Sequence, residues 1–168
     1  MIESLKADVK AYFQSTAKPR NENLVIWDGF DELTKPIAVD FFNGKSWEDL
    51  LHYLQNPAVG YAYLEEWAVL SPIALAYYLR AYLEFLIETL SGQQDHDEWY
   101  ISDFFHWQYQ MIYMHKGSPL SPKQTAVIVK IAEHVVIEIK DYQRFADIGD
   151  DILINIDLFL KELNQYGK

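Results

Sequence analysis

Cysteine is absent from the 168 residues, which excludes a disulfide framework, a thiol nucleophile and a thiolate metal site, and suits a reducing cytoplasm. The seven glycines are all isolated, so no glycine-rich loop is present to cradle a phosphate. No Gly-x-Ser-x-Gly segment occurs, and the histidines at 52, 96, 106, 115 and 134 have no paired spacing, which removes the usual supports for nucleophilic catalysis. No apolar run approaches the ~18 residues that a membrane span requires. The nearest, Leu70 to Leu90, contains Arg80, Glu84 and Glu88. Met1 to Thr16 carries Glu3, Lys6, Asp8 and Lys10 and no apolar stretch before a cleavage site, so it reads as a first helix and not as a signal peptide.

Basic residues are scarce where acids are dense. Between Ser46 and His115 the chain carries Glu48, Asp49, Glu65, Glu66, Glu84, Glu88, Asp95, Asp97, Glu98 and Asp103 against a single base, Arg80. That stretch supplies nine of the eleven net negative charges and 16 of the 26 aromatic residues. A net charge of −11 and a pI near 4.7 argue against nucleic acid as a partner, because binding a duplex depends on neutralising phosphates with Lys and Arg. Acids interleaved with Tyr and Trp suit a contact surface for a basic protein: aromatic anchors supply buried area and the charge field steers encounter.

Half of the residues are apolar and 23% are charged, which excludes intrinsic disorder for the body of the chain. The length fits one domain, residues 1–168, with its own core. Apolar spacing predicts a first helix over 2–16, stopped before Lys18-Pro19, and a second over 31–42 with Gly44 as its left-handed stop. Leu24 to Trp27 reads as a segment covering the core in preference to a strand. Ser46 caps a third helix with Asp49 at its third position, and Pro57 and Gly60 end it. Ser71 caps a helix over 72–90 with Pro72 in its first position. Arg80 and Glu84 fall four apart on its outer face, an arrangement worth about 0.3 kcal/mol.

An aromatic helix follows the polar loop 93–97 and stops at Gly117. Leu120-Ser121-Pro122 repeats the cap-plus-proline signal, Gln124 completes a capping box, and that helix runs to about Phe145 before Gly149 breaks it. Asp150 and Asp151 open the last helix. The expected fold is all-α, an irregular antiparallel bundle of six or seven helices.

Three constellations invite a chemical reading. Glu133-His134 with Glu138 places a His and a Glu on one helix face, but a helical zinc site wants a second His and a distant third ligand, so an ordinary solvated face is favoured. Asp95-His96-Asp97-Glu98 lacks the alternate acids and central glycine of a calcium loop, and Asp97 reads as a helix cap. Trp99, Asp103, His106, Gln110 and Tyr113 form one stripe of the aromatic helix, equally suited to a binding row or to partial burial under a neighbour with His106 bonded to Asp103; self-association through Trp99 and Tyr113 is a third option. No metal, no cofactor and no catalytic residue is assigned.

The segments Gly44-Lys45-Ser46-Trp47, Leu70-Ser71-Pro72-Ile73-Ala74-Leu75-Ala76-Tyr77-Tyr78-Leu79-Arg80-Ala81-Tyr82-Leu83 and Leu120-Ser121-Pro122-Lys123-Gln124 are similar to the pattern of a family of small bacterial helical proteins of unknown function. The similarity spans residues 37 to 134 and departs at Arg80, where that pattern has Pro. The resemblance implies a cytoplasmic helical protein, assigns no catalytic residue, and is compatible with an immunity partner of an antibacterial toxin. The expected function is therefore a non-enzymatic, acidic immunity or inhibitor protein that engages a basic partner such as a nuclease toxin. The residues expected to make that contact are Glu65, Glu66, Trp67, Asp95, Asp97, Glu98, Trp99, Asp103 and His106. The alternative is a small-molecule-binding or hydrolytic bundle with an aromatic-lined pocket and a carboxylate pair.

Overall fold

The computed structural model describes residues 1–14, 17–20, 22, 24, 34–56, 70–92, 99–118, 120–142, 144–145 and 147–166. Seven helices make up 79% of them with no strand: α1 (Ile2–Tyr12), α2 (Thr34–Phe42), α3 (Trp47–Leu54), α4 (Pro72–Leu90), α5 (Trp99–His115), α6 (Pro122–Tyr142) and α7 (Gly149–Tyr166). The architecture is an all-α bundle. Among the described residues no helix is long and apolar enough to cross a membrane.

α4 is the central element. Its residues are apolar on nearly every side, and thirteen of its nineteen are buried, the pattern of a helix enclosed by neighbours. The Ser71 hydroxyl accepts from Ala74 N–H at 3.1 Å, and the Ser71 N–H donates to the Leu24 carbonyl at 2.9 Å, so the entry to α4 is satisfied from both directions. Leu24 is buried as a core-covering residue; Val25 to Trp27 lie outside the described residues. At the other end Arg144 donates to the Thr89 carbonyl at 3.2 Å and the Leu90 carbonyl at 2.5 Å, a cation placed on the negative pole of the helix.

Direction alternates through the last three helices. Ser102 meets Asn155 and Phe105 meets Phe159, so α5 and α7 run parallel. The start of α6 lies beside the end of α7, and Ile139 beside Gly149, so α6 is antiparallel to α7. Lys130 pairs with Asp8 at 2.7 Å and Lys123 lies over the Tyr12 ring, which sets α1 antiparallel to α6.

Both capping boxes form. Asp49 N–H donates to the Ser46 hydroxyl at 3.1 Å while Ser46 N–H donates to the Asp49 carboxylate at 2.7 Å, and the hydrogen bonding of Ser46 to the carboxyl holds it below its ordinary pKa. Ser121 and Gln124 exchange the same pair of bonds at 3.0 and 3.3 Å.

Four boundaries differ from expectation. α1 ends at Tyr12, four residues early, with Phe13 turning inward to be buried. α5 is closed by Lys116, which takes φ 49°, while the Gly117 N–H donates back to the Ile112 carbonyl at 3.2 Å; the left-handed position is one residue before the glycine. α6 ends at Tyr142, and Phe145 adopts φ 65° with its ring buried. Gly149 does not break a helix: it begins α7, where a Cβ would sit 3.1 Å from Ile139 Cγ2. Its small size serves close approach of α6 and α7.

Candidate functional site

Of the nine residues expected to meet a partner, Trp99, Asp103 and His106 lie in the structure on α5; Glu65, Glu66, Trp67, Asp95, Asp97 and Glu98 lie outside the described residues. α5 is amphipathic in an unusual way. Tyr100, Ile101, Phe104, Phe105, Met111 and Ile112 are buried, and the Tyr100 hydroxyl donates to the Tyr82 carbonyl at 3.1 Å, fixing the start of α5 against α4. The opposite stripe leaves Trp99 48% and Tyr113 55% exposed, with Asp103, His106 and Gln110 half-buried between them. The alternative of burial under a neighbouring helix does not hold for the two ends of the stripe.

Rings line this face. His106 meets Trp107 edge to face at 5.5 Å and Tyr109 at 6.3 Å, and Tyr109 is followed by Tyr113 at 6.1 Å. Such contacts restrict the rotamers of exposed rings, which lowers the ordering cost of using them as anchors. The arrangement presents flat aromatic area, a carboxylate and an imidazole.

Two clusters escaped the sequence reading. Arg80 and Glu84 are not on an outer face. The Arg80 side chain is 13% exposed, its Nε donates to Glu84 at 2.7 Å, and its guanidinium lies 3.6 Å from the centroid of the Trp47 ring. They line a cavity of about 360 Å³ between α1 and α4 together with Lys6, Lys10 and Glu88. Spacing four apart could show that Arg80 and Glu84 share a stripe, but not that α1 and α3 close over it.

His134 is likewise not on a solvated face. It is 6% exposed, with Nε2 3.8 Å from Glu138, and Glu138 in turn lies 3.4 Å from Arg144. Burial lowers the His134 pKa; Glu138 opposes that shift, while the chain's amino terminus and Arg144 add to it. Its Nδ1 has no partner among the described residues. Among those residues no three His, Asp or Glu side chains gather as a metal set.

A second cleft, about 510 Å³, opens between the start of α6 and the end of α7, with Leu120, Val129 and Leu163 beside Thr125 and Asn164. Tyr166 is the aromatic side chain on its wall. Tyr78 has a structural task. The Tyr78 hydroxyl lies 3.1 Å from the Phe42 carbonyl and 3.0 Å from that of Lys45, tying the α2–α3 turn to α4, and burial raises its pKa to about 12. The chain matches no protein family, no curated protein and no solved structure.

Proposed function

We propose that this chain is a non-enzymatic binding protein of the immunity or inhibitor type, acting in the cytoplasm of a bacterium, that engages a basic protein through the exposed stripe of α5. The observation that carries this reading is the pair of large aromatics, Trp99 and Tyr113, both about half exposed on one helix face. Two further features support it. The chain has a net charge of −11, and the acids Asp95, Asp97 and Glu98 immediately precede α5 in sequence. A basic nuclease is the partner whose phosphate-binding surface such carboxylates would block, and the same charge disfavours nucleic acid itself.

Capture from a cell lysate at low salt and at ~0.5 M salt identifies the partner, and the purified pair then tests the surface. Replacing Trp99 with Ala is expected to speed dissociation, and reversing Asp103 to Lys to slow association and flatten its salt dependence. Unchanged kinetics in both variants would remove α5 from the interface. Concentration-dependent association of the chain with itself, lost in the Trp99 variant, would assign the stripe to a second copy instead.

The alternative, a small-molecule-binding bundle, draws its support from the charged cavity between α1 and α4.

A further inference from the structure

The cavity between α1 and α4 has opposite charges on facing walls. Lys10 on α1 supplies an ammonium group, with Lys6 one turn before it paired with Glu3 at 3.3 Å; Arg80, Glu84 and Glu88, successive turns of α4, supply a guanidinium and two carboxylates. Arg80 is held in place twice, by the Trp47 ring behind it and by the Nε bond to Glu84. Its terminal nitrogens meet no hydrogen-bond acceptor among the described residues. A guanidinium so fixed is a pre-oriented donor fork for a carboxylate.

The acids are held in the same manner. Glu84 uses Oε1 on Arg80, and Glu88 uses Oε2 to accept from Gln55 Nε2 at 2.9 Å. Each therefore keeps its other oxygen without a hydrogen-bond partner among the described residues, and no ion pair joins Lys10 to either acid. The groups are positioned, yet the gap between the walls is left open.

We propose that this cleft binds a small zwitterion of the α-amino-acid class, its carboxylate on the Arg80 fork and Lys10, its ammonium on the remaining oxygens of Glu84 and Glu88. A ligand of one sign is disfavoured, because an anion alone faces the Glu84 and Glu88 carboxylates and a polyamine alone faces Arg80 and Lys10. The volume, about 360 Å³, lies at the small end of the roughly 300–1,000 Å³ of ligand pockets and suits a single amino acid. This site is separate from the α5 surface, and its test does not depend on any protein partner.

The test is calorimetric and NMR titration of the full chain with glutamate, and with glutarate and 1,4-diaminobutane, which each keep one sign of charge. Saturable one-to-one binding of glutamate is expected, with both single-sign compounds at least about tenfold weaker. Arg80→Lys and Glu88→Gln, which keep a cation and a Gln55 acceptor respectively and so preserve the fold, should each weaken glutamate about tenfold, and Trp99→Ala should leave it unchanged. Glutarate binding as well as glutamate would overturn the zwitterion assignment. Equal glutamate affinity in the Arg80 and Glu88 variants, or no saturable binding of glutamate, would overturn the site.

Discussion

The guanidinium of Arg80 stacks on the Trp47 ring at 3.6 Å, joining the first residue of α3 to the middle of α4. The same guanidinium is bonded to Glu84, so one side chain organises both the α3–α4 contact and the wall of the charged cleft. A double-mutant cycle with Trp47→Ala and Arg80→Ala is expected to give a favourable coupling of about 0.5–2 kcal/mol by denaturant unfolding. Additive losses would reduce the stack to mere proximity.

Tyr78 makes stability depend on alkaline pH. Its folded pKa, about 12, lies above the ordinary value of 10.0, so the folded state holds the phenol proton more tightly. Its contribution is complete below pH 10 and is lost as pH rises through about 12. Tyr78→Phe removes that pH-dependent component. It also leaves the Phe42 and Lys45 carbonyls without the hydroxyl, at a cost of about 1–2 kcal/mol at neutral pH. Unfolding curves for both proteins across this range check each part.

His134 gives the opposite slope in acid. Its folded pKa is lowered beneath the ordinary 6.5, so the folded state favours the neutral ring, with Glu138 as the one opposing charge and Arg144 and the amino terminus reinforcing it. Stability should be full above pH 6.5 and fall as pH drops through the folded pKa. His134→Gln is expected to flatten that fall. An unchanged acid limb in denaturant midpoint against pH would assign it to other groups.

Lys116 and Phe145 share a left-handed backbone and should respond oppositely to glycine. Lys116 is exposed, so Lys116→Gly relieves strain at little loss and should stabilise by about 0.5–1 kcal/mol. Phe145 is buried, and Phe145→Gly loses core packing worth more than the strain it relieves, a net cost of about 2–3 kcal/mol. Thermal and denaturant unfolding of the two variants decide both signs.

These cases show which parts of the fold were legible in the residues. α4 runs from Pro72 to Leu90 as its cap, proline and glycine indicate, because those signals are local and unopposed. Helix ends governed by tertiary packing were less legible. Phe13 leaves α1 to enter the core, Lys116 takes the left-handed turn ahead of Gly117, and Gly149 allows the close approach of Ile139. The exposure of Trp99 and Tyr113 could not be read from spacing, since a stripe of rings looks the same buried or bare. The Arg80 cleft was hidden for a related reason: Lys6, Lys10 and Glu88 meet only once α1 is laid against α4.

The most direct test of the central claim is the binding kinetics of the captured partner with the wild-type chain and with the Trp99→Ala/Tyr113→Ala variant at two salt concentrations. A basic partner is expected whose association slows with salt and whose complex with the variant is about a thousandfold weaker, as follows for two aromatic anchors each worth ~2 kcal/mol. A partner that binds the variant as it binds the wild type would place the interface elsewhere and contradict the role given to α5.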